Sequence, residues 1–368
     1  MNKDADVIVI GAGMVGAACA HALAQSGLRV LVLDDRRSGA TAAGMGHLVV
    51  MDDNPAELAL SHHSLEQWRQ WVPQMPADCA WSACGTLWLA TNAQEMDTAF
   101  EKHARLQAFG VKAEVVSAQA LQMLEPALRS NLTGALKVPG DGLVYAPNAA
   151  RWLLARYPKR VEVRQVTAVE VEEPRVRLNT GEWVQADAVL LASGIYISQM
   201  CPELPIRPKK GQLLITDRYP GTVYHQLVEL GYVSSSHHAQ EPSVAFNVQP
   251  RPTGQLLIGS SRQYDDTSVD VDPHMLAQML QRARHYLPGI DGLNAIRCWT
   301  GVRAATPDSL PILGAHPNRP GLWLAVGHEG LGITTAPASA QILAAQITGR
   351  ALPLNPAPYS AARFANLS

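Results

Sequence analysis

The chain is short of the features that would place it in several functional classes. Its 368 residues carry 30 basic against 32 acidic side chains, a net charge of −2, and no polybasic cluster. That balance supplies no field for nucleic acid or for an anionic membrane surface, and suits a small neutral or zwitterionic substrate. The five cysteines, an odd number, include no C-x-x-C pair and no metal-ligand spacing with histidine. The expectation is therefore no metal site, and thiols that fill the core in a reducing compartment. No charged segment followed by an apolar one precedes the first strand, so a cytoplasmic protein is expected. The one long uncharged stretch, 330–347, contains Thr334, Thr335, Pro337, Gln341 and Gln346, and reads as a buried helix rather than a membrane span. Internal repeats and low-complexity tracts are absent as well.

What is present is concentrated at the start. The apolar run Val7–Ile10 feeds Gly11, Gly13 and Gly16 at G-x-G-x-x-G spacing, followed by an Ala-rich helical stretch that stops at Gly27 and a second apolar strand ending in Asp34. Each part has a task. Gly11 permits the tight turn, Gly13 lets a pyrophosphate approach the backbone, and Gly16 lets helix and strand pack closely. The helix N-terminus, with Ala12, Met14 and Val15 around it, offers free N–H groups to the phosphates, and Asp34 is placed to accept a ribose hydroxyl. The small-residue stretch 38–47, with Ser38, Gly39, Thr41, Ala43, Gly44 and Met45, comes directly afterwards and suggests backbone lying against a ligand.

Periodicity predicts helices over 56–71, 94–109, 117–124 (capped by Ser117), 148–157, 273–286 and 334–347. It predicts strands over 161–169, a hairpin of 169–171 with 176–178 across Glu173 and Pro174, and a strand from Trp183. A buried parallel strand is expected over 188–194, ending in Gly194. Further strands are expected at 212–215, 243–248, 255–258 and 323–327, within a strand-rich stretch 211–262. Parallel-sheet elements thus resume after about one hundred residues, which implies a discontinuous nucleotide domain with a second domain inserted into it. At 47% hydrophobic content the chain can bury cores for two domains of ordinary size.

Several stretches together resemble the D-amino-acid oxidase superfamily of FAD-dependent amine oxidoreductases: the N-terminal unit, Ala192-Ser193-Gly194, Pro208 to Gln212, Trp299-Thr300-Gly301-Val302-Arg303, Thr306 to Gly314, and Gly327 to Pro337. Within it the chain is most similar to the glycine and sarcosine oxidase branch, and residues 46–53 and 247–255 resemble the FAD subunit of bacterial D-hydroxyproline dehydrogenases. The resemblance implies an α/β fold with a Rossmann-like FAD domain of the glutathione-reductase type, formed by 1–80, 142–206 and 297–368. The α+β substrate domain, built on a mainly antiparallel sheet, is formed by 81–141 and 207–296. Carried over by position, Met14 and Val15 lie on the pyrophosphate, Asp34 and Asp35 at the adenosine ribose, Ser38, Gly39, Thr41, Ala43, Gly44 and Met45 along the flavin, and Val166 near adenine. Gly330, Leu331, Gly332, Ile333 and Thr334 open a helix whose N-terminus faces the flavin pyrimidine edge, where it would stabilise negative charge. Arg303 falls where family members clamp a substrate carboxylate, a task to which its planar fork is suited.

Three departures stand out. Glycine oxidase carries an arginine where this chain has Gly330 and a tyrosine where it has Asn247. Monomeric sarcosine oxidases attach flavin through a cysteine where this chain has Gly301, with Cys298 three residues away, so FAD is expected to be non-covalent. The implied chemistry is hydride transfer from the carbon beside an amine, with D-hydroxyproline as substrate and electron-accepting partner subunits, since this chain lacks cysteine spacing for an iron–sulfur cluster. The alternatives are a glycine or sarcosine oxidase-type enzyme and a non-catalytic FAD-carrying subunit. An NAD-dependent dehydrogenase would leave the turn at 330–334 and Arg303 unexplained. His47 and His328 lie near the ring in this alignment, and neither is given a catalytic role.

Overall fold

The computed structural model describes residues 3–231 and 242–364. Two sheets organise them. The first has six strands in the order Ile312–Ala315, Leu322–Val326, Ala188–Leu191, Val7–Ile10, Val30–Asp34, Val161–Gln165, all parallel except for the terminal hairpin of the first two. Its central strands are apolar on both faces because both faces are covered, as a parallel sheet requires. One face, through Val7, Val9, Val30, Val32 and Leu190, packs on helices that include Met14–Gln25, Pro55–Trp71 and Gly332–Thr348. The other, through Ile8, Ile10, Leu31 and Leu33, packs on the three-stranded antiparallel sheet Ala168–Glu172, Arg175–Leu178, Trp183–Gln185. Helix, parallel sheet and antiparallel sheet form the three layers of an α/β dinucleotide domain.

The second sheet has eight strands: Ala295–Ala305, Arg207–Arg218, Gln255–Tyr264, Ser243–Pro250, Gln226–Glu229, Thr86–Ala90, Gly134–Val138 and Glu114–Ser117. Every pairing is antiparallel except Gln226–Glu229 with Thr86–Ala90. Its outer face, with Leu214, Phe246, Val248 and Ile258, packs against helix Pro273–Tyr286. The inner face turns toward the first domain.

Several expectations are adjusted. The alternation over 161–169 reads as one strand but makes two, because Val161–Gln165 extends the parallel sheet and Ala168–Glu172 leaves for the antiparallel layer. Helix 148–157 begins instead at Ala146, with Pro147 in its first turn, where a missing N–H costs nothing. The expected domain boundary at 297 falls inside strand Ala295–Ala305, which is an edge strand of the eight-stranded sheet and carries Arg303. Of the strand-rich stretch 211–262, residues 232–241 lie outside the described residues.

A buried charge joins the two parts. Lys102, on helix Ala93–Ala108, pairs with Asp52, which also accepts from Arg105 Nε at 2.8 Å. The ammonium lies 4.7 Å from the Trp88 ring centre. Both Lys102 and Asp52 are almost fully buried, and burial pulls the Lys102 pKa down, so Asp52 is what keeps the cation tolerable there. Asp52→Ala should cost about 3 kcal/mol in urea unfolding, the size expected when a buried pair loses one partner. Asp52→Ala combined with Lys102→Met should recover more than half of that loss. Additive destabilisation would show that the pair is not coupled.

Candidate active site

The first sheet places Val7–Ile10 between Val30–Asp34 and Ala188–Leu191, so adjoining connections leave in opposite directions and open a crevice beyond the carboxyl ends of the strands. Gly11 sits in that crevice at φ +107°, and a Cβ there would lie 2.5 Å from the Ala192 carbonyl oxygen. At Gly16 a Cβ would lie 1.9 Å from the Gly11 carbonyl oxygen. Both must be glycine for the turn to pack. Gly13 is different: a Cβ there would meet only Thr41 Oγ1, at 3.2 Å. Internal packing does not account for it, whereas close approach of a ligand would.

The helix Met14–Gln25 has no side-chain cap on its Gly13 N-cap, but the Met14 N–H donates to Thr41 Oγ1 at 2.9 Å. The small-residue stretch thereby docks on the glycine turn. Asp34 accepts from the Ala12 N–H at 2.7 Å and from the Arg36 N–H at 2.8 Å, which fixes its carboxylate beside the turn. Asp35 accepts instead from Arg37, whose guanidinium lies 4.2 Å from the Tyr196 ring centre just after Gly194. Val166 donates its N–H to the Asp34 carbonyl, which puts it at the same end of the crevice.

The stretch from Ser38 runs outward along the crevice. Gly39 is open, Ala40–Ala43 forms one helical turn, and Gly44 packs against Ile333. Gly330 is also open, and Gly332 packs on His328 and Val15. Helix Gly332–Thr348 starts from Leu331 without a side-chain cap, so first-turn N–H groups lack side-chain partners. Thr334 is committed internally, since its hydroxyl donates to the His47 carbonyl at 2.9 Å and its carbonyl accepts from Trp68 Nε1 at 3.1 Å.

Facing this crevice is the inner side of the second sheet. Gly211, Gly259 and Gly301 lie on three adjacent strands and leave a patch without side chains. A Cβ at Gly301 would lie 2.3 Å from Ala43 Cβ, and one at Gly259 would lie 3.0 Å from Met45 Sδ. Arg303 lies over Gly211, with its Nη2 2.6 Å from where a Cβ would be, and Nη1 donates to the Ser261 carbonyl at 3.2 Å. Trp299 Nε1 donates to the Ala43 carbonyl at 3.1 Å. By strand alternation Trp299, Gly301 and Arg303 share this face, whereas Cys298 packs into the outer core.

Polar groups line the same side, and of these sequence reasoning did not weigh Gln226, Gln249 or the pairing of Lys209 with Glu329. His47 lies among Gln226, Asn247 and Gln249. Burial, with Arg251 and Arg303 nearby, pulls its pKa down to about 4, against a smaller opposing effect of the Gln226 hydrogen bond. Lys209 pairs with Glu329, whose pKa falls below the ordinary carboxylate value because Lys209, Arg303 and Arg262 offset its burial. His328 is buried against Ser339 and its pKa falls to about 3. Both histidines are neutral. Among the described residues, Cys201, Glu203 and His316 form one group with metal-ligand spacing, but its donors are engaged. Glu203 takes His316 Nε2, Asn318 N–H takes Nδ1, and Arg319 takes the thiol.

A glycine turn of the dinucleotide-binding type and an arginine-bearing platform thus face each other across the two domains. The family DAO, FAD dependent oxidoreductase, matches residues 6–346. The chain belongs to that family, and FAD is its cofactor. It is 27% identical to a glycine oxidase of Geobacillus kaustophilus, over 99% of this chain and 98% of that protein. It is 26% identical to the hydrogen cyanide synthase subunit HcnC of Pseudomonas aeruginosa, over 99% and 97%. The solved structure of an L-proline dehydrogenase from P. horikoshii shares the fold, with a TM-score of 0.86 at 22% identity, over 99% of each chain. Among the described residues no helix is long and apolar enough to cross a membrane.

The residues fit FAD: the space is open at Gly39 and Gly330, and at Gly13 only Thr41 Oγ1 comes near, along the track a dinucleotide would take. Gly13→Val should abolish FAD retention while leaving a folded protein, read from the 450 nm absorbance and far-UV circular dichroism of the purified variant. Normal flavin content would contradict the placement. For His328, whose folded pKa lies below the unfolded value of about 6.5, stability is present above that value and lost as pH falls towards the folded pKa. Glu57 and Asp141, raised by burial to about 8 and about 7, act with opposite sign, so the comparison must be differential. Between pH 6.5 and 4.5 the wild type should lose up to about 1.4 kcal/mol per pH unit relative to His328→Gln in urea unfolding. A pH-independent difference would show that His328 titrates normally.

Proposed function

We propose that this chain oxidises a cyclic amino acid, with cis-4-hydroxy-D-proline as substrate, as the FAD subunit of a dehydrogenase. The observation that carries the reading is Arg303, held over Gly211 by the Ser261 carbonyl on a side-chain-free patch that faces the small-residue loop. A guanidinium there binds a carboxylate in bidentate fashion, and the absence of Cβ atoms at Gly211 and Gly301 lets Arg303 and Ala43 lie directly on the sheet. When bound, FAD supplies the two-electron acceptor for hydride from the carbon beside the amine. The chain's own contribution is orientation. Arg303 fixes the carboxylate, the glycine patch fixes the distance, and Trp299, Met45, Leu213 and Leu257 form the apolar wall that excludes water.

Glycine in place of arginine at 330 and Asn247 in place of tyrosine favour a larger substrate than glycine, as does the resemblance at 46–53 and 247–255. Non-covalent FAD is supported by the direction of Cys298, which lies on the strand face away from the patch. A partner that takes electrons onward is supported by relatives named as subunits, HcnC among them. The glycine oxidase of 27% identity favours one competing reading, a self-sufficient glycine or sarcosine oxidase.

Anaerobic flavin bleaching by cis-4-hydroxy-D-proline, D-proline, glycine, sarcosine and D-alanine separates the readings, followed by reoxidation with air or an artificial dye. Fast bleaching by the ring substrates and slow reoxidation by air are expected. Prompt peroxide formation with glycine or sarcosine would establish the competing reading, and bleaching by none would point to a non-catalytic subunit. Arg303→Lys, which keeps the charge and loses the fork, should lower kcat/KM at least tenfold, about 1.4 kcal/mol or more, with flavin content unchanged. Unchanged kinetics would make Arg303 structural.

A further inference from the structure

The polar cluster around His47 has a direction. Gln226 Nε2 donates to the Gly142 carbonyl at 3.0 Å and to Thr86 Oγ1 at 3.3 Å, which fixes its amide so that Oε1 faces His47. That oxygen, 2.6 Å from His47 Nδ1, requires the ring proton to be on Nδ1. Nε2 is then an acceptor. Asn247 Nδ2 donates to it at 3.0 Å, and Gln249 Nε2, beside the ring, donates to Gln226 Oε1 at 3.4 Å. Both amides have their nitrogen ends turned to the histidine, and their oxygen ends face elsewhere.

Those oxygens, Asn247 Oδ1 and Gln249 Oε1, are buried and have no hydrogen-bond partner among the described residues. Asn247 is 7% exposed and Gln249 0%. Two unmatched acceptors side by side are costly to bury. By alternation they leave Phe246 and Val248 to the outer core and point to the same face as Gly259, which Asn247 directly opposes. Arg303, by its bond to Ser261, reaches the strand next to theirs. The acceptor pair lies one strand over and two residues along from that contact, a separation that a small ring substituted at both ends can bridge. The charged groups nearest the cluster, Arg251 and Arg303, are both cationic, which disfavours an ammonium and favours a neutral donor.

We infer that Asn247 and Gln249, oriented through the Gly142–Gln226–His47 chain, accept a hydrogen bond from a hydroxyl on the ring of the substrate, opposite the carboxylate held by Arg303. This rests on the functional reading above and adds the residues that would separate a hydroxylated ring from its unsubstituted counterpart. A site built to hydrogen-bond a hydroxyl discriminates strongly against the analogue lacking it, because its own polar groups are left unpaired.

The test uses ring acids that cannot be oxidised at an amine. Calorimetric titration of the FAD-loaded protein with cis-3-hydroxycyclopentanecarboxylate and cyclopentanecarboxylate should give at least tenfold tighter binding of the hydroxylated acid. In Asn247→Leu and Gln249→Met the advantage should fall below threefold, while cyclopentanecarboxylate affinity is retained. Asn247→Asp, which keeps an acceptor, should preserve part of it. Equal binding of the two acids by the wild type, or an advantage that survives in both variants, would overturn the assignment and leave the oxidation of ring substrates intact. Flavin bleaching by glycine or sarcosine, with no bleaching by either proline, would remove the functional reading itself.

Discussion

The structure depends on backbone surfaces that meet without a Cβ between them. At Gly11 and Gly16 the missing side chain lets strand, turn and helix close on one another, since a Cβ at either would fall within 2.5 Å of a carbonyl oxygen. At Gly301 it lets the second sheet rest on Ala43, and at Gly211 it lets Arg303 lie flat. At Gly39 and Gly330 the space is open instead, and at Gly13 only Thr41 Oγ1 comes near. Packing explains the first group and a ligand the second, which is why one residue type in different settings marks both the scaffold and the track.

Around this frame, three buried charges are held by partners. Asp52 holds Lys102, Glu329 holds Lys209, and Glu229 accepts from Phe246 N–H, Tyr286 and Arg282. The neutral His47 joins the two domains through its carbonyl to Thr334 and through its ring to the second sheet. Among the buried acceptors without a partner, those of Asn247 and Gln249 face the platform beside Arg303. The departures from full pairing that face this platform thus coincide with the place where substrate chemistry is proposed.

The nucleotide half was legible because its signals are local. The run Val7–Ile10, the three glycines and Asp34 lie within thirty residues and each reports on its neighbour. The helix Pro273–Tyr286 was equally plain, and the structure caps it with Asp272. Strands Thr86–Ala90, Glu114–Ser117 and Gly134–Val138 were not read, because they are short and pair with partners distant in sequence, so no turn chemistry announces them. The break at Val166 was passed over although the consecutive polar residues Arg164 and Gln165 interrupt the alternation there, where the chain passes from one layer to another. The cluster of His47, Gln226, Asn247 and Gln249 spans about two hundred positions, and only strand register brings it together.

On this account the flavin ring lies beside the contact of the small-residue loop with the glycine patch, and Arg303 binds the carboxylate of the molecule to be oxidised. A crystal structure of the FAD-loaded protein with cyclopentanecarboxylate tests it most directly. The pyrophosphate is predicted at the N-terminus of helix Met14–Gln25, the ring beside Gly301 and Met45, and the carboxylate paired in bidentate fashion with Arg303. A flavin ring placed away from the glycine patch, or a carboxylate bound with Arg303 still turned to Ser261, would contradict it.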